Sequence, residues 1–515
     1  MKQTVSYLSV FVACIVNLLW ICPIQAQTED MLDRKIYLSQ TKGSIYQLLE
    51  NVTQQSGVLF IYDSQIINNE KQVRIKKGEY TVRSAIYEIT QNRNLTLRSV
   101  GNHILIQLPP EKEVAEEKKS VEPFNPYAVI EGILIDQQTQ EPISFGTVGI
   151  RNSSIGTVTN QNGEFRLNIP DSLSTGSLYF SHVGYLPQEV HIAVLINHHT
   201  TFSLEPKNIS IQEVIVRLVN PQKIIRDMLD KRKDNYASTP VYFTTFYREG
   251  VERKKGFVNL SEAVFKVYKN PLQTLRTDQV KLLKMRKISN TAEKDTIITK
   301  IKSGVNACLL LDLVKNLPDF LSPESLGNYE YRHTDLTLIE DRMANVITFE
   351  QRASMKEPLY KGDLYIDTEN DALLMAKFEM NPDHIKAATS MFIEKKSRNL
   401  SLKLDKVQYA VSYKYWNGKY YINHIRGDLH FKIRTKKQFF SSPVHTWFEM
   451  VTCDIETEDV SRFMRNETFP QTTVFSDMNF VYDNEFWGNF NIILPEEELH
   501  EAISRITSKI EETNL

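Results

Sequence analysis

Apolar residues recur at every second position through much of the chain beyond residue 127, and at helical spacing in only a few stretches. Between 129 and 185, Ile133 and Ile135, Val148 and Ile150, and Phe165, Leu167 and Ile169 form short alternating runs separated by Gly, Pro and Asn clusters. Such runs predict a small antiparallel β-sandwich with one face of each strand buried, continued by strands at 178–182, 190–196 and 201–204. Asn162-Gly163 predicts a tight hairpin turn, since both residues tolerate positive φ. Asn220 and Pro221 then read as the cap and first-turn residue of a helix with a buried stripe of Ile225, Met228 and Leu229. Leu309, Leu310, Leu311 and Val314 predict a second helix that gives way at Pro318. A last helix carries Leu499, Ala502, Ile503, Ile506 and Ile510 on one side, with the acidic residues 496–498 suiting its N-terminal dipole. Strands at 264–269, 336–339, 346–349, 364–366, 373–380, 407–416, 419–434 and 446–455 suffice for one curved antiparallel sheet against which the helices pack. Asn417-Gly418, flanked by YKYW and KYYI, is a two-residue hairpin signal.

Residues 33–108 mix the two periods. Ile36 and Leu38 make a strand, Ile45, Leu48, Leu49 and Val52 a helix face, and Gly57 stops that helix before a strand at 58–62. The unit then repeats: Val73 and Ile75 alternate, Thr81 caps a helix carrying Val82, Ala85, Ile86 and Ile89, and Leu95, Leu97, Ile104 and Ile106 close a hairpin around Gly101-Asn102. This segment, with Ser56-Gly57-Val58-Leu59-Phe60-Ile61-Tyr62-Asp63 after its first helix, resembles the secretin and TonB N-terminal short domain. Residues 109–126, bounded by prolines and filled with Glu and Lys, read as a solvated tether.

The stretch 129–185 also resembles a known family, the carboxypeptidase regulatory-like domain. The resemblance rests on Gly132, Ile133 and Asp136, then Glu141-Pro142-Ile143, then Thr159, Gly163 and Phe165, and a closing Ser181, Gly184 and Tyr185. Where that family has Thr-Asp in a loop, this chain has Thr159-Asn160, which removes a carboxylate that a calcium site would want. The segment around residues 236–268, with NYASTPVYFTTFYRE and LSEAVFKVYK, resembles the region behind this module in Bacteroidetes-type cell-envelope proteins.

The fold class expected is therefore multidomain α+β. A signal segment (1–26) precedes a βαβ-repeat domain (27–108), the tether (109–126), a transthyretin- or Ig-like sandwich (127–216) and a curved antiparallel sheet domain with packed helices (217–515). Lys2, the apolar run from Val10 to Trp20 and Ala26 suit export with cleavage before Gln27; the run is short for a bilayer span. Ile21 ahead of Cys22 is bulky for a lipoprotein acceptor. In an oxidising compartment Cys308 and Cys453 could bridge, but an apolar helix around one and a strand shared with Val451 and Ile455 around the other favour two buried thiols. A net charge of −2 argues against nucleic-acid binding.

No converging catalytic groups emerge, so no catalytic, cofactor or metal residue is assigned. None of the 11 histidines starts a His-x-x-Glu pair, and HExxH, GxSxG and phosphate-cradling Gly loops are missing from the sequence. His198-His199 reads as a solvated pair. Asp363 and Asp367, with Tyr365 between them, share a strand face and could do acid/base work, although a simple exposed face is the stronger reading. Lys432, Arg434 and Lys436 alternate along one face, where they could attract a phosphorylated lipid or glycan or merely keep an edge soluble.

The expectation is a non-enzymatic envelope protein that docks partners. The resemblances imply a TonB-type protein or an outer-membrane transporter as partner, with a lipid or other hydrophobic-ligand carrier and an unfamiliar hydrolase as alternatives. Mass spectrometry of the exported protein is expected to find Gln27 at the mature N-terminus; an intact Met1 or a lipid on Cys22 would contradict it.

Overall fold

The computed structural model describes residues 31–39, 41–62, 67, 71–100, 103–107, 127–196, 199–207, 220–253, 256–274, 276–289, 300–301, 304–395, 400–435, 440–471 and 487–495. The expected export segment, tether and final helix lie outside these residues, as does the turn at Gly101-Asn102. The chain divides into two compact units, 1–114 and 115–515.

In the first unit β1 (Lys35–Leu38) pairs with β5 (Gly78–Thr81) and β2 (Lys42–Ser44) with β4 (Gln72–Arg74), both antiparallel. A three-stranded sheet runs β3 (Leu59–Tyr62), β7 (His103–Gln107), β6 (Thr96–Val100), with β3 parallel to β7. Helix α1 (Ile45–Ser56) begins at a capping box in which Ser44 and Gln47 satisfy each other's backbone N–H, and ends at Gly57, whose φ of +70° suits glycine. Thr81 caps α2 (Val82–Thr90) in the same way, with Ser84 as its partner. Leu48, Leu49 and Val52 meet Val82, Ile86 and Ile89 in a closed core.

The second unit opens with the sandwich. One sheet runs β11 (Glu164–Pro170), β8 (Tyr127–Asp136), β14 (His199–Leu204); the other runs β10 (Gly156–Val158), β9 (Thr147–Ile150), β12 (Ser177–Ser181), β13 (Gln188–His191). Phe165, Phe180 and Phe202 fill the space between, the last two stacked at 4.1 Å. Three expectations change here. The sandwich is not wholly antiparallel, because β14 returns parallel to β8. Residues 192–194 form a 3-10 turn rather than strand. Asn162-Gly163 does not make a hairpin either: β10 and β11 belong to different sheets, only Gly163 takes positive φ, and the turn is held by Asn160 Oδ1, which accepts from the N–H groups of Asn162 and Glu164.

Behind the sandwich stands a ten-stranded sheet, antiparallel throughout. Its strands are β15 (Val241–Arg253), β16 (Gly256–Lys269), β17 (Gln279–Ser289), β19 (Tyr329–Ile339), β20 (Arg342–Gln351), β21 (Tyr360–Asp367), β22 (Leu373–Met380), β24 (Leu400–Trp416), β25 (Lys419–Thr435) and β26 (Ser442–Glu456). Their order is β17-β16-β15-β26-β25-β24-β22-β21-β20-β19, while β18 (Lys300–Ile301) and β23 (Ile393–Lys395) pair separately. Asn417 and Gly418 both take positive φ and join β24 to β25 with Trp416 opposite Lys419, the hairpin that the sequence announces. Strand β17 has no clear signal, because a register shift at Val264/Phe265 breaks its alternation and leaves Leu283 exposed. A second shift, between Thr244 and Thr245, makes Cys453 the extra residue of β26. Cys453 and Val451 therefore face one way and Ile455 the other, and Cys308 and Cys453 are both free and buried.

One face of this sheet is apolar. Helix α3 (Pro221–Asp230), started by Asn220 and Pro221, lays Ile224, Ile225, Met228 and Leu229 on it, followed by the short α4 (Arg232–Asn235) and later by α5 (Gly304–Leu310). Phe320 closes that layer against Phe349 and Phe378 at 4.4 and 5.0 Å.

The other face carries a row of charges in exact register across the sheet. Arg286 lies opposite Glu262, Glu262 opposite Arg248, Arg248 opposite Glu449, and Glu449 opposite Arg426. Arg248, Glu262 and Glu449 are fully buried. Arg248 reaches Glu449 Oε1 through Nη2 at 2.8 Å and Nε at 3.0 Å, and Arg426 Nη1 reaches Oε2 at 3.2 Å. Burial by itself would raise the Glu449 carboxyl, but Arg248, His424 and Arg426 hold it well below the usual carboxylate range. Gly250 is required beside this row, because a Cβ there would stand 2.7 Å from the Trp447 ring. Charges taken this far from water are costly unless each has its partner. Glu449→Gln is therefore expected to lower unfolding free energy by about 3–5 kcal/mol in denaturant titration. The double change Arg248→Met with Glu449→Leu is expected to cost less than the single one; equal or larger loss in the double variant would contradict this account of the row.

Candidate functional site

The sandwich is seated on the charged face of the large sheet. Lys414, buried in β24, donates to Ser154 O and Thr452 O at 2.8 Å each, so one ammonium ties sandwich to sheet. Burial pushes its pKa down to about 8. Asn423 donates to Thr147 Oγ1, Phe145 stacks on His424 at 5.3 Å, and Gly184 N–H donates to Leu338 O. Residues 487–495 cover the same face: Thr157 Oγ1 donates to Ile492 O, Asn168 bonds Phe490 O and Asn491, and Arg248 Nη1 donates to Leu494 O. Over β15, β26 and part of β25 this cover is tight.

Towards β20–β24 the cover lifts and leaves a cavity of about 640 Å3. Its sandwich wall is Ser144, Phe145, Thr147, Ser181, His182 and Val183; its sheet floor includes Thr348, Asp363, Met375, Lys377, Ala410 and Ser412, with Ile339 and Glu340 at the β19–β20 turn. This volume is within the range of about 300–1,000 Å3 typical of small-ligand clefts. The floor continues the charge row. Arg426 lies opposite Ala410, Ala410 opposite Lys377, Lys377 opposite Asp363, and Asp363 opposite Thr348, whose hydroxyl donates to Asp363 at 2.6 Å.

The electrostatics of the cavity follow from its walls. Burial lowers the Lys377 pKa, with Asp363 pulling the other way. His182, on the sandwich side, is pushed down to about 4 by burial and by Lys377, so it is neutral near pH 7. Glu340 takes φ +53° in the turn, and burial, with Asp341 beside it, raises its carboxyl to about 7. Arg426 is anchored: its Nε and Nη2 donate to Asp428 and its guanidinium lies over Phe145 at 4.9 Å.

The residues weighed from the sequence have separate fates. Asp363 opens onto the cavity, but Asp367 is fully buried at the end of β21, where it pairs with Arg342, accepts from Tyr420 and holds the N–H groups of Glu369 and Asn370. The two carboxylates thus do different work and do not converge, because the second closes a turn. Lys432 pairs with Asp405 at 2.7 Å on the exposed surface, and Lys436 and His198 lie outside the described residues. Asn160 uses its amide: Nδ2 donates to Glu164 Oε2 at 2.8 Å and to Pro495 O at 3.4 Å, which an aspartate could not do. Among the described residues no group of three His, Cys, Asp or Glu is placed to hold a metal ion. Also among them, no helix is long and apolar enough to cross a membrane. The floor residues Lys377, Ala410 and Arg426 were not anticipated. The signal for Lys377 and Arg426 is a charge inside a strand-forming apolar stretch, as in LLMAKFEM and INHIRGDL, while Ala410 carries none.

A second cleft of about 470 Å3 lies on the same face towards one end of β15, β24, β25 and β26, lined by Glu252, His430, Lys432 and His445 among others. The His430 and His445 rings stack at 4.3 Å. Both nitrogens of His445 face carboxylates, Nε2 to Asp428 at 3.0 Å and Nδ1 to Glu252 at 3.4 Å. Burial opposes its charge, but these two bonds prevail and raise its pKa to about 9.

Among known families, the CarboxypepD_reg-like domain matches residues 130–216. Among curated protein sequences none matches the chain. Solved structures that resemble it include a domain titled an outer membrane lipoprotein-sorting protein from Vibrio parahaemolyticus, at 10% identity and TM-score 0.22, covering 48% of this chain and 96% of that one. Lipovitellin is similar at 8% identity and TM-score 0.23, over 45% of this chain and 27% of that one. A LolA superfamily protein from Nitrosomonas europaea follows at 10% identity and TM-score 0.16, over 47% and 96%.

A histidine whose folded pKa is raised stabilises the fold fully below its unfolded pKa of about 6.5 and loses that contribution as pH rises through the folded value. Unfolding free energy measured across pH 6.5 to about 9 is therefore expected to fall more steeply in the parent protein than in His445→Gln. Parallel profiles would show that the carboxylates of Glu252 and Asp428 do not hold a proton there.

Proposed function

We propose that the chain is a non-catalytic protein of the cell envelope whose second unit binds a small ligand between sandwich and sheet. The observation that carries this reading is the cavity of about 640 Å3 lined by both modules. A regulatory-type sandwich gains a binding role when it forms one wall of a cleft that the sheet alone does not enclose. The lining is mixed, with Phe145, Val183, Ile339 and Met375 beside Asp363, Lys377 and Gln408, which suits an amphiphilic ligand held by few polar contacts. This reading takes up the carrier alternative, on the charged face of the sheet. The layer between the sheet and its helices has little room for a ligand, since it is filled by Phe320, Phe349, Phe378 and Leu313, and the pocket at Tyr236, Phe243 and Tyr413 holds about 40 Å3.

Catalysis has less support, since the groups in the cleft are turned to structural partners: Asp363 to Thr348, Glu379 to Lys361 and Gln408, and Arg426 to Asp428. Docking to a TonB-type protein or an outer-membrane transporter, as the first unit's resemblance implies, has a physical route of its own. The three-stranded sheet ends on β3 and β6, and an open strand edge accepts a partner strand.

Ser412 lies on the cavity floor beside His424. Native mass spectrometry after incubation with envelope extract is expected to show a small-molecule adduct on the parent protein and none on Ser412→Trp, with both variants folded. Adducts of equal mass and yield on both, or on neither, would contradict the cleft reading.

A further inference from the structure

The charge row alternates in sign over five strands and then misses one anion. Reading across the sheet, Arg286, Glu262, Arg248, Glu449 and Arg426 give plus, minus, plus, minus, plus. The next position is Ala410, and after it comes Lys377, again a cation, followed by Asp363. Two cations thus flank a residue that has no charge and almost no side chain. Strands lie about 4.8 Å apart, so the backbones carrying Arg426 and Lys377 are separated by about 9.6 Å. All three residues line the cavity, and Ala410 is its floor at this point.

Neither cation is fully satisfied. Among the described residues the Lys377 ammonium makes no ion pair and no hydrogen bond; the charge that acts to raise its pKa is Asp363, on the side away from Ala410. Arg426 has five N–H groups and serves three acceptor atoms, Asp428 Oδ1, Asp428 Oδ2 and Glu449 Oε2, which leaves two N–H groups unassigned. Arg248, inside the row, has an anion on either side, whereas Arg426 and Lys377 have one each, Glu449 and Asp363, on the side away from Ala410, and Lys377 is exposed to the cleft. Ala410 leaves a gap between the two cations, and the same cavity carries the apolar side chains of Phe145, Val183, Ile339 and Met375.

Resting on the cleft reading above, we propose that the ligand is an amphiphile with a single carboxylate, which sits over Ala410 between Arg426 and Lys377 and completes the row. The apolar part of the ligand lies along the sandwich wall. Asp363 across from Lys377 and Glu379 two residues along its strand, both lining the cavity, disfavour a second anion, which confines the class to one acidic group. His182, on the sandwich wall and neutral at pH 7, adds no competing charge.

The test uses the whole protein and decanoate, decanol and decylamine as probes, with binding measured by calorimetry at pH 7.5. A charge-assisted contact of this kind is worth about 10-fold or more in affinity. Decanoate is expected to bind the parent protein at least about 10-fold tighter than decanol, with decylamine weakest. Lys377→Met is expected to lose that preference while keeping its affinity for decanol. Ala410→Glu supplies the missing anion from the chain itself. It is expected to raise the melting temperature and to abolish decanoate binding. Equal affinity for decanoate and decanol in the parent would overturn the anion site while leaving the cleft, and so would undiminished decanoate binding by Ala410→Glu. Failure of all three probes to bind the parent would overturn the cleft itself.

Discussion

The second unit depends on a line of opposed charges kept away from water. Arg248, Glu262 and Glu449 have no exposure at all, and each would be strongly destabilising alone. They are tolerable because the antiparallel register sets unlike charges directly opposite one another across β17, β16, β15, β26 and β25, and because Trp447 and Trp487 lie against the guanidinium planes of Arg248, Arg426 and Arg286 at 5.0–5.5 Å. A slip of one residue in any of these pairings would turn a buried charge into the apolar face. The row therefore fixes register as much as it contributes stability.

The same row explains how the sandwich is held. It is not docked through an apolar patch alone; Val158 joins Phe246, Val264, Val451 and Ile493 in a small apolar cluster, while Lys414, Arg248 and Asn168 spend their donors on carbonyls of the covering segments. Apolar burial supplies adhesion and the donors supply orientation. Where the cover is complete the charges pair with each other. Where it lifts, the cleft begins and the row loses its alternation of sign at Ala410.

Much of the fold was legible in the sequence, and the reasons are local. Gly57, Thr81, Asn220-Pro221 and Asn417-Gly418 each satisfy a backbone requirement within a few residues, so the sequence displays them directly. The candidate site depends on a sandwich wall at residues 144–183 meeting a sheet floor at residues 348–426, and the charge row beside it on pairs as distant in sequence as Arg248 and Glu449. Bulges at Thr244/Thr245, Leu404/Lys406 and Ser412/Tyr413 reset the alternation on the strands that build it, so period-two reading loses the face. Asn162-Gly163 misled for a related reason: a turn between two sheets uses the same residues as a turn within one. Asp363 and Asp367 were rightly placed on one strand, but a strand end recruits a carboxylate to close its turn, which no spacing reveals.

The central claim is that the row lacks one anion at Ala410, and the titration of Lys377 reports on that place directly. Side-chain NMR of Lys377 across alkaline pH should give a pKa below that of an ordinary lysine in the parent protein, because desolvation on the cleft floor outweighs the pull of Asp363 even though the side chain keeps some exposure. In Ala410→Glu, with a carboxylate now directly opposite, the account predicts a pKa at or above the ordinary value. A Lys377 that titrates normally in the parent and does not shift in the variant would contradict it.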